Sequence, residues 1–235
     1  YYENGITDYI AELAGDTAET KIAKFHLEAK GRDRENMKDY KLVADIAFTV
    51  SKQVNVLEYY HNSSFLENGG SPDKAVRSAF VSEIDKYIKA QGKYNKDESK
   101  ITFADVQDSL ILVTNSFSTM TSYENQTKKA INNKFIQEAM TDFIKQRLEI
   151  YFIENKLEAD KIMEQVLVNK RSRESAEKQR INIKKKLQGN IDMINRVKKF
   201  VDCRTKDPAK RELYIVEGDS ALGSVKLGRD SEFQA

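Results

Sequence analysis

Two kinds of hydrophobic periodicity divide this chain and restrict the folds open to it. Residues 20–31 and 40–51 alternate apolar with polar side chains, and the next run, 55–66, is rich in aromatic residues. Alternation with a period of two is the pattern of a β-strand that buries one face. From residue 133 the apolar residues recur every three or four positions, which is the spacing of one helix face. Strands followed by helices predict an α/β fold in which helices cover a sheet.

Turn and capping residues indicate where the other elements begin and end. The breaker ENGGSPD precedes a helix that starts near Pro72, and Thr102 is an N-cap residue. The polar segment 32–39 is turn-like, so the first strands are predicted to form a meander. The predicted order is a short helix after Gly5, the three strands, an amphipathic helix from Pro72 to Gly92, a short helix after Thr102, a buried strand at 110–119 and long helices from Asn133.

Composition is typical of a folded protein with one large or two modest domains. Of the 235 residues, 40% are hydrophobic and 32% are charged, and only two are proline. The single cysteine, Cys203, excludes an intramolecular disulfide and cysteine-based metal sites, and it is expected to be buried. His26 and His61 have no acid or thiol at ligand spacing and are interpreted as structural. The apolar runs are too short to span a bilayer and no secretory segment opens the chain, which predicts a cytoplasmic protein.

Positive charge is concentrated in residues 170–186. Eight basic residues stand there against Glu174 and Glu177, which gives the segment a charge of +6 in a chain of net charge +2. Such a stripe favours an anionic partner, with nucleic acid the commonest, although a solvated helix face has the same composition. The candidate DNA-facing residues are Lys170, Arg171, Arg173, Lys178, Arg180, Lys184, Lys185 and Lys186.

The segment SYENQTKKAINNKF, at 122–135, is the first candidate site. It lies between a predicted strand and a predicted helix, where a loop can present polar groups to a ligand. Gln126 supplies an amide donor and Lys128 a compact positive charge, and both suit a terminal phosphate. Taken alone, the pattern is also that of an ordinary lysine-bearing loop.

The segment LYIVEGDS, at 213–220, is the second candidate site. The run LYIV is typical of a central parallel strand buried on both faces, and Glu217 would then lie at its carboxyl end, where open α/β sheets bind ligands. Asp219 or Ser220 would cap the helix that follows. A carboxylate there suits Mg²⁺, although Glu217 can equally be a surface residue at the end of a strand.

Five landmarks occur in an order that points to one family. They are YYENGITDYIAEL, FLENGGSPDKAVRSAF, YENQTKKAINN, VDCRTKDP and ELYIVEGDSALGSVKLGRDSEFQA. Together, over essentially the whole chain, they resemble the B subunit of bacterial type IIA DNA topoisomerases, that is, of DNA gyrase and topoisomerase IV. Two positions depart from the family pattern. Leu222 replaces the first of the two glycines that usually follow EGDSA, and Asn68 lies in the segment that is commonly HEGG.

The resemblance implies a fold and a domain order. Residues 1–190 would form a transducer domain with a ribosomal-protein-S5-domain-2-like α/β fold and long C-terminal helices. Residues 191–235 would form a connector and the truncated start of a Toprim domain. An ATPase domain of the GHKL type is expected outside this segment, ahead of it.

The resemblance also assigns roles to both candidate sites. Gln126, Thr127 and Lys128 match the loop that reaches into the ATPase site and touches the γ-phosphate of ATP, with Lys128 in a catalytic role. Glu217 matches the Toprim glutamate, which holds Mg²⁺ with two later aspartates that are expected outside this chain. That glutamate can also assist proton transfer during strand cleavage.

The implied function is that of a fragment of an ATP-dependent type II DNA topoisomerase, which couples ATP binding and hydrolysis to double-strand cleavage and strand passage. Its partners would be DNA, an A subunit that carries the cleavage tyrosine, and a second B subunit in an A2B2 enzyme. The fragment alone is expected to be inactive. The alternatives are a non-enzymatic scaffold that binds nucleic acid through 170–186 and a stand-alone Toprim nuclease or primase-like enzyme.

Overall fold

The computed structural model describes residues 2–196 and 199–235 and contains the predicted mixture of strands and helices. Its α/β class is therefore confirmed. The strands are β1 (Ala23–Gly31), β2 (Tyr40–Val50), β3 (Val56–His61), β4 (Ser64–Phe65) and β5 (Leu110–Ser118). The helices are α1 (Ile6–Ala14), α2 (Ser71–Ala90), α3 (Phe103–Gln107), α4 (Lys134–Glu154), α5 (Lys156–Arg196) and α6 (Asp219–Gly228).

One mixed sheet contains these strands in the order β1-β2-β5-β3-β4. β1 and β2 form an antiparallel hairpin around the turn-like segment 32–39, as predicted. The predicted meander is wrong beyond this hairpin, because β5 lies between β2, to which it is antiparallel, and β3, to which it is parallel. Burial explains the order. Residues 110–113 of β5 are all buried, so β5 takes a central position, whereas several β3 side chains are partly exposed.

The main core lies between one face of the sheet and helices α2, α4 and α5. Phe48 of β2 meets Phe80 of α2 edge-on, with 5.1 Å between ring centroids. The predicted apolar stripes are buried and account for the position of each helix. They comprise Val76, Phe80, Ile84 and Ile88 on α2, Ile136, Met140, Ile144 and Leu148 on α4, and Ala159, Ile162, Met163, Val166 and Leu167 on α5.

A smaller apolar cluster covers part of the opposite face of the sheet. Helix α1 packs there through Ile10 and Ala14. Because successive residues of a strand point to opposite faces, Ile111 and Val113 of β5 meet α1 while Leu112 belongs to the main core. Both faces of β5 are therefore covered, which its uninterrupted apolar run requires.

The chain divides into two compact units, Tyr1–Ser175 and Ala176–Ala235, and the division falls within α5. The sheet and both apolar clusters belong to the first unit. The second unit contains the remainder of α5, a 3-10 turn at Pro208–Lys210 and α6. The domain boundary predicted between residues 190 and 191 stays a prediction.

The apolar run LYIV, at 213–216, is not a strand, and the prediction of a buried central strand there is wrong. The segment is exposed, with Leu213 at 63% and Ile215 at 87% of full residue exposure. A strand is buried only when neighbouring strands and covering helices are present. In the described part of the chain, this region has a single bridge, between Glu212 and Gln234.

The helix predicted after this run is present as α6, but its cap differs from the prediction. The N-cap residue is Gly218 rather than Asp219 or Ser220, and it has no side chain with which to bond the helix amides. Asp219 lies in the first turn, where its charge suits the positive end of the helix, and it forms an ion pair with Lys199.

The single cysteine and the hydropathy of the helices can be compared with the expectations from composition. Cys203 is buried and its thiol is free of any disulfide, as predicted. The thiol lies 3.7 Å from the carbonyl oxygen of Thr205. Of the helices within residues 2–196 and 199–235, none combines the length and the apolar character needed to cross a bilayer.

Candidate functional site

The segment 122–132, which contains the first candidate site, folds into a short hairpin. Tyr123 and Ile131 form an antiparallel bridge between its two limbs. Residues 125–129 form the exposed tip. Two backbone hydrogen bonds of 2.9 Å join the limbs, from Glu124 N to Ala130 O and from Asn132 N to Ser122 O. The hairpin, rather than a loose loop, therefore carries the candidate residues.

Gln126, Thr127 and Lys128 are all exposed at this tip. Asn125 shapes the turn, because its backbone oxygen accepts from Lys128 N at 3.3 Å and its side-chain oxygen accepts from Thr127 N at 3.2 Å. Lys128 has a φ of 57°, in the left-handed region. Its ammonium lies 5.5 Å from the centre of the Tyr123 ring, a cation–π contact. A cation–π contact at an exposed site is weak, so the ammonium of Lys128 can leave the ring to pair with an anion.

The second limb of the hairpin is docked on the start of α2. Gly70 and Ile131 form a parallel bridge, and Ser71 N donates to Ile131 O at 2.8 Å. Asn68 N donates to Lys129 O at 2.9 Å. The contact at Asn68 uses its backbone, so the departure from the family pattern at this position leaves the docking intact.

Asn133, at the base of the hairpin, carries no functional prediction from the sequence. It directly precedes α4 and is buried, with 1% of its surface exposed. An asparagine before a helical pattern signals an N-cap, yet this side chain makes no capping hydrogen bond. It accepts instead from Ser122 N at 2.7 Å, across the base of the hairpin.

His61 is a buried structural residue, as predicted, and it lies where β5 leads toward the hairpin. Its Nδ1 is 2.8 Å from Ser116 Oγ, and its Nε2 is 3.1 Å from Ser118 Oγ and 3.0 Å from Thr121 Oγ1. Burial lowers the pKa of His61 to about 4. The ring is therefore neutral at pH 7 and acts as a hydrogen-bonding hub. His26, by contrast, is exposed, and the hydrogen bond with Asp45 raises its pKa.

The free energy of unfolding is expected to fall by about 3 kcal/mol between pH 6.5 and pH 4 because of His61. The folded pKa lies below the unfolded value, so the unfolded chain binds the extra proton in this window and is favoured as the pH falls. His61→Gln should remove this dependence, measured by denaturant unfolding at several pH values. His26→Gln is the control, because the raised pKa of His26 contributes with the opposite sign. Equal pH slopes for His61→Gln and the wild type would contradict the assignment.

The structure divides the predicted DNA-facing stripe into ion-paired and exposed residues. The prediction is wrong for its first residue, Lys170. Lys170 has no exposed side-chain area, so it cannot face DNA. Its Nζ lies 3.1 Å from Glu98 Oε1 and 2.9 Å from Glu174 Oε1. Arg171 pairs with Glu98 at 3.1 Å, and Arg173 with Asp105 at 2.7 Å. These three cations therefore fix the middle of α5, at residues 170–173, to the segment between α2 and β5.

The other five basic residues of the stripe are exposed on α5, in the second unit. Arg180 lies 3.4 Å from Glu177, a surface pair of little energetic weight. Each side chain can therefore reach an anionic surface. These residues are Lys178, Arg180, Lys184, Lys185 and Lys186.

Glu217 is exposed and lies just before α6. Within the described residues, no group of three or more His, Cys, Asp or Glu side chains is arranged to hold a metal ion. Mg²⁺ is normally held by more than one oxygen ligand. Glu217 and its surroundings therefore do not make a magnesium site by themselves.

The model of one protein family matches residues 5–182, and that family is DNA gyrase B. The chain belongs to the DNA gyrase B family. Among curated gyrase B subunits, it is 32% identical to that of Metamycoplasma arthritidis and 30% identical to that of Campylobacter jejuni, in each case over the whole of this chain. The chain spans 36% and 29% of the lengths of these two relatives.

Solved structures in the gyrase B family and its topoisomerase IV counterpart share this fold. The 43K ATPase domain of Thermus thermophilus gyrase B, in complex with an aminocoumarin, matches with a TM-score of 0.62 and 19% identity, covering 76% of this chain and 46% of that one. The ATP-binding domain of Francisella tularensis topoisomerase IV, in complex with an inhibitor, matches with a TM-score of 0.56 and 20% identity, covering 74% and 44%. At these identities the likeness is one of fold.

Proposed function

We propose that this chain is part of the ATPase and Toprim subunit of an ATP-dependent type II DNA topoisomerase. Family membership supports the proposal. The observation that carries it is the exposed Gln126-Thr127-Lys128 tip on a hairpin that is docked on α2. A tip of this kind can touch a bound nucleotide and pass its movement to the sheet and helices behind it.

In this proposal, residues 1–190 are a transducer domain of the ribosomal-protein-S5-domain-2-like type. Residues 191–235 are a connector and the start of a Toprim domain. The five-stranded mixed sheet and its long helices support the first assignment. The position of Glu217, two residues ahead of α6, supports the second.

Lys128 and its neighbours are proposed to contact the γ-phosphate of ATP, which an ATPase domain outside this segment would hold with Mg²⁺. The tip fits a phosphate, because it offers an ammonium, an amide and a hydroxyl, all exposed. Lys128 would leave the Tyr123 ring and neutralise charge on the phosphate. The backbone bonds of Ile131 and Lys129 would then carry the displacement to α2.

Replacing Lys128 with alanine should lower kcat for ATP hydrolysis about 100-fold in the full-length subunit assembled with its A subunit. ATP-driven supercoiling or strand passage should fall in parallel. Lys134→Ala is the matched control, because Lys134 is an exposed lysine that forms a surface pair with Glu138, at 3.5 Å. Undisturbed ATP turnover in Lys128→Ala would show that the hairpin does not sense phosphate.

Glu217 is proposed to join a Mg²⁺ site and to assist proton transfer in the complete Toprim domain. Its exposure leaves the carboxylate available for further ligands. The two aspartates of that site would come from outside this segment, and the attacking tyrosine from the A subunit. Two B and two A subunits would then act on DNA as an A2B2 enzyme in the cytoplasm.

The exposed cations of α5 are proposed to face DNA. Replacing the lysines at 184–186 with glutamate should weaken DNA binding and reduce the slope of log K against log salt by about 0.9 for each phosphate that is no longer neutralised. Lys38→Glu combined with Lys96→Glu and Lys100→Glu makes the same change in net charge at exposed sites elsewhere. Equal binding by the two triple variants would show that the stripe has no specific role.

A non-enzymatic nucleic-acid-binding scaffold is the second candidate function, and the exposed α5 cations favour it. It predicts DNA binding that is indifferent to both Lys128 and Glu217. The topoisomerase proposal predicts that Lys128→Ala lowers ATP turnover while DNA binding by α5 persists. Measuring both properties on the same variant separates the two functions.

A further inference from the structure

The base of the hairpin is tied to the sheet by a buried polar network centred on Asn133. Its side-chain oxygen accepts from Ser122 N at 2.7 Å. Its side-chain nitrogen donates to Asp33 Oδ2 at 2.8 Å and to Tyr40 Oη at 3.1 Å. Ser122 opens the hairpin and Asn133 follows its end, so one amide joins both ends of the hairpin to the β1–β2 connection.

Asp33 is the second member of this network. Its Oδ1 accepts from Phe135 N, in the first turn of α4, at 2.8 Å and from Tyr40 OH at 3.0 Å. Burial and the hydrogen bond to Asp33 raise the pKa of Tyr40, so the hydroxyl remains a donor. Both carboxylate oxygens and both groups of the amide are therefore used, which makes the network fully satisfied.

The backbone contacts of the hairpin do not fix its base by themselves. The limbs share only the two backbone hydrogen bonds that form the Tyr123–Ile131 bridge, which alone would leave a marginal hairpin. The amide of Asn133 fixes where the limbs leave the sheet, and the docking on α2 fixes the second limb. The base of the hairpin that carries Lys128 is therefore fixed at both limbs.

We propose that Asn133 and Asp33 are positioning residues for Lys128, which deliver its ammonium to the phosphate by locking the base of the hairpin. The inference rests on the proposed phosphate-sensing function. Neither side chain touches the nucleotide. Their effect comes through geometry, since a misplacement of about 1 Å in a reacting group lowers a rate by as much as 100-fold.

Exchanging the amide of Asn133 with the carboxylate of Asp33 tests the proposal. Asn133→Asp would place a second carboxylate at hydrogen-bond distance from Asp33, and like charges would repel. Asp33→Asn would turn an N–H donor toward another donor, either the side-chain amide nitrogen of Asn133 or the backbone N–H of Phe135. The double variant Asp33→Asn with Asn133→Asp restores one donor and one acceptor across the contact. The donor then lies at position 33 and the charged carboxylate at position 133.

The three variants would be compared with the wild type in ATP hydrolysis by the full-length subunit assembled with its A subunit. Each single variant is expected to lower kcat by about 10- to 100-fold with KM for ATP changed less than threefold. The double variant is expected to recover to within about threefold of the wild type. Asp39→Asn is the control on the same connection, because Asp39 is exposed and pairs with Arg32 at 2.8 Å.

Three results would overturn the inference. If both single variants keep the wild-type kcat while Lys128→Ala abolishes turnover, the positioning role is wrong and the phosphate sensor stands. If Lys128→Ala has no effect, the proposed function fails and the inference fails with it. If a single variant does not fold, the double variant decides, because it keeps a donor and an acceptor between positions 33 and 133. A folded double variant whose kcat stays 10-fold or more below the wild type would also overturn the inference.

Discussion

Replacing Gly70 with alanine is expected to lower the free energy of unfolding by about 4 kcal/mol, because backbone strain and overpacking each contribute about 1–3 kcal/mol. Gly70 has a φ of 90°, where side chains are strained. A Cβ atom would lie 2.2 Å from Ile131 O and 2.7 Å from Ile131 N. Both are backbone atoms of the docked limb, so relief requires the hairpin to move away from α2. Denaturant unfolding measures the loss.

Gly92, beyond the other end of α2, is the matched control for this prediction. It has a φ of 61°, but an added Cβ would meet no atom within 4 Å. Gly92→Ala should therefore lower the free energy of unfolding by only about 1–2 kcal/mol, the strain of the left-handed backbone. Equal losses for the two variants would show that the close approach to Ile131 contributes nothing.

The elements of the first unit could be predicted because their signals are local. The alternation of apolar and polar residues in β1 and β2 is visible within a few residues. The apolar stripe of α2 is visible within a few helical turns. Thr102 and Asp105 form the capping box of α3, and both lie within four residues of sequence. Such local sequence patterns do not depend on the tertiary fold of the rest of the chain.

Strand order could not be predicted in the same way. The insertion of β5 between β2 and β3 pairs Leu112 with both Phe48 and Leu57, far away in sequence. Loop-closure entropy and the burial of the whole sheet decide such pairings. The run LYIV shows the reverse error, since an apolar segment becomes a buried strand only if neighbours pair with it.

The candidate site shows the same limit. The exposed tip residues, Gln126 to Lys128, follow from the local pattern, whereas the partner of Asn133 is Asp33, separated from it by 100 residues. The basic stripe illustrates the limit for charge. A count of cations gives Lys170 and Lys184 equal weight, yet the first is fully buried in an ion pair and the second is exposed. Only tertiary structure separates a structural cation from a free one.

The buried ammonium of Lys170 depends on the carboxylate of Glu98. Glu98→Gln is expected to lower the free energy of unfolding by about 3 kcal/mol, the lower end of the usual loss for a broken buried ion pair, because Lys170 keeps one carboxylate partner. Lys170 would remain inside, with Glu174 as its remaining carboxylate, and Arg171 would lose its pair. Lys170→Met is the control. It removes the buried charge while Glu98 keeps Arg171, so a change below about 1.5 kcal/mol is expected.

Acid unfolding provides an independent measurement of the same contact. The hydrogen bond from Arg171, with further help from the backbone of Asn95 and from Lys170, lowers the pKa of Glu98 to about 2 despite its burial. The folded pKa lies below the unfolded value of 4.5, so this stabilisation is complete above pH 4.5 and is lost as the pH falls toward 2. The loss should reach about 3 kcal/mol, at 1.36 kcal/mol per pKa unit. Glu98→Gln should flatten the stability curve in this window and leave the His61 window between pH 4 and 6.5 unchanged. A wild-type slope below pH 4.5 in Glu98→Gln would mean that the middle of α5 is held by other contacts.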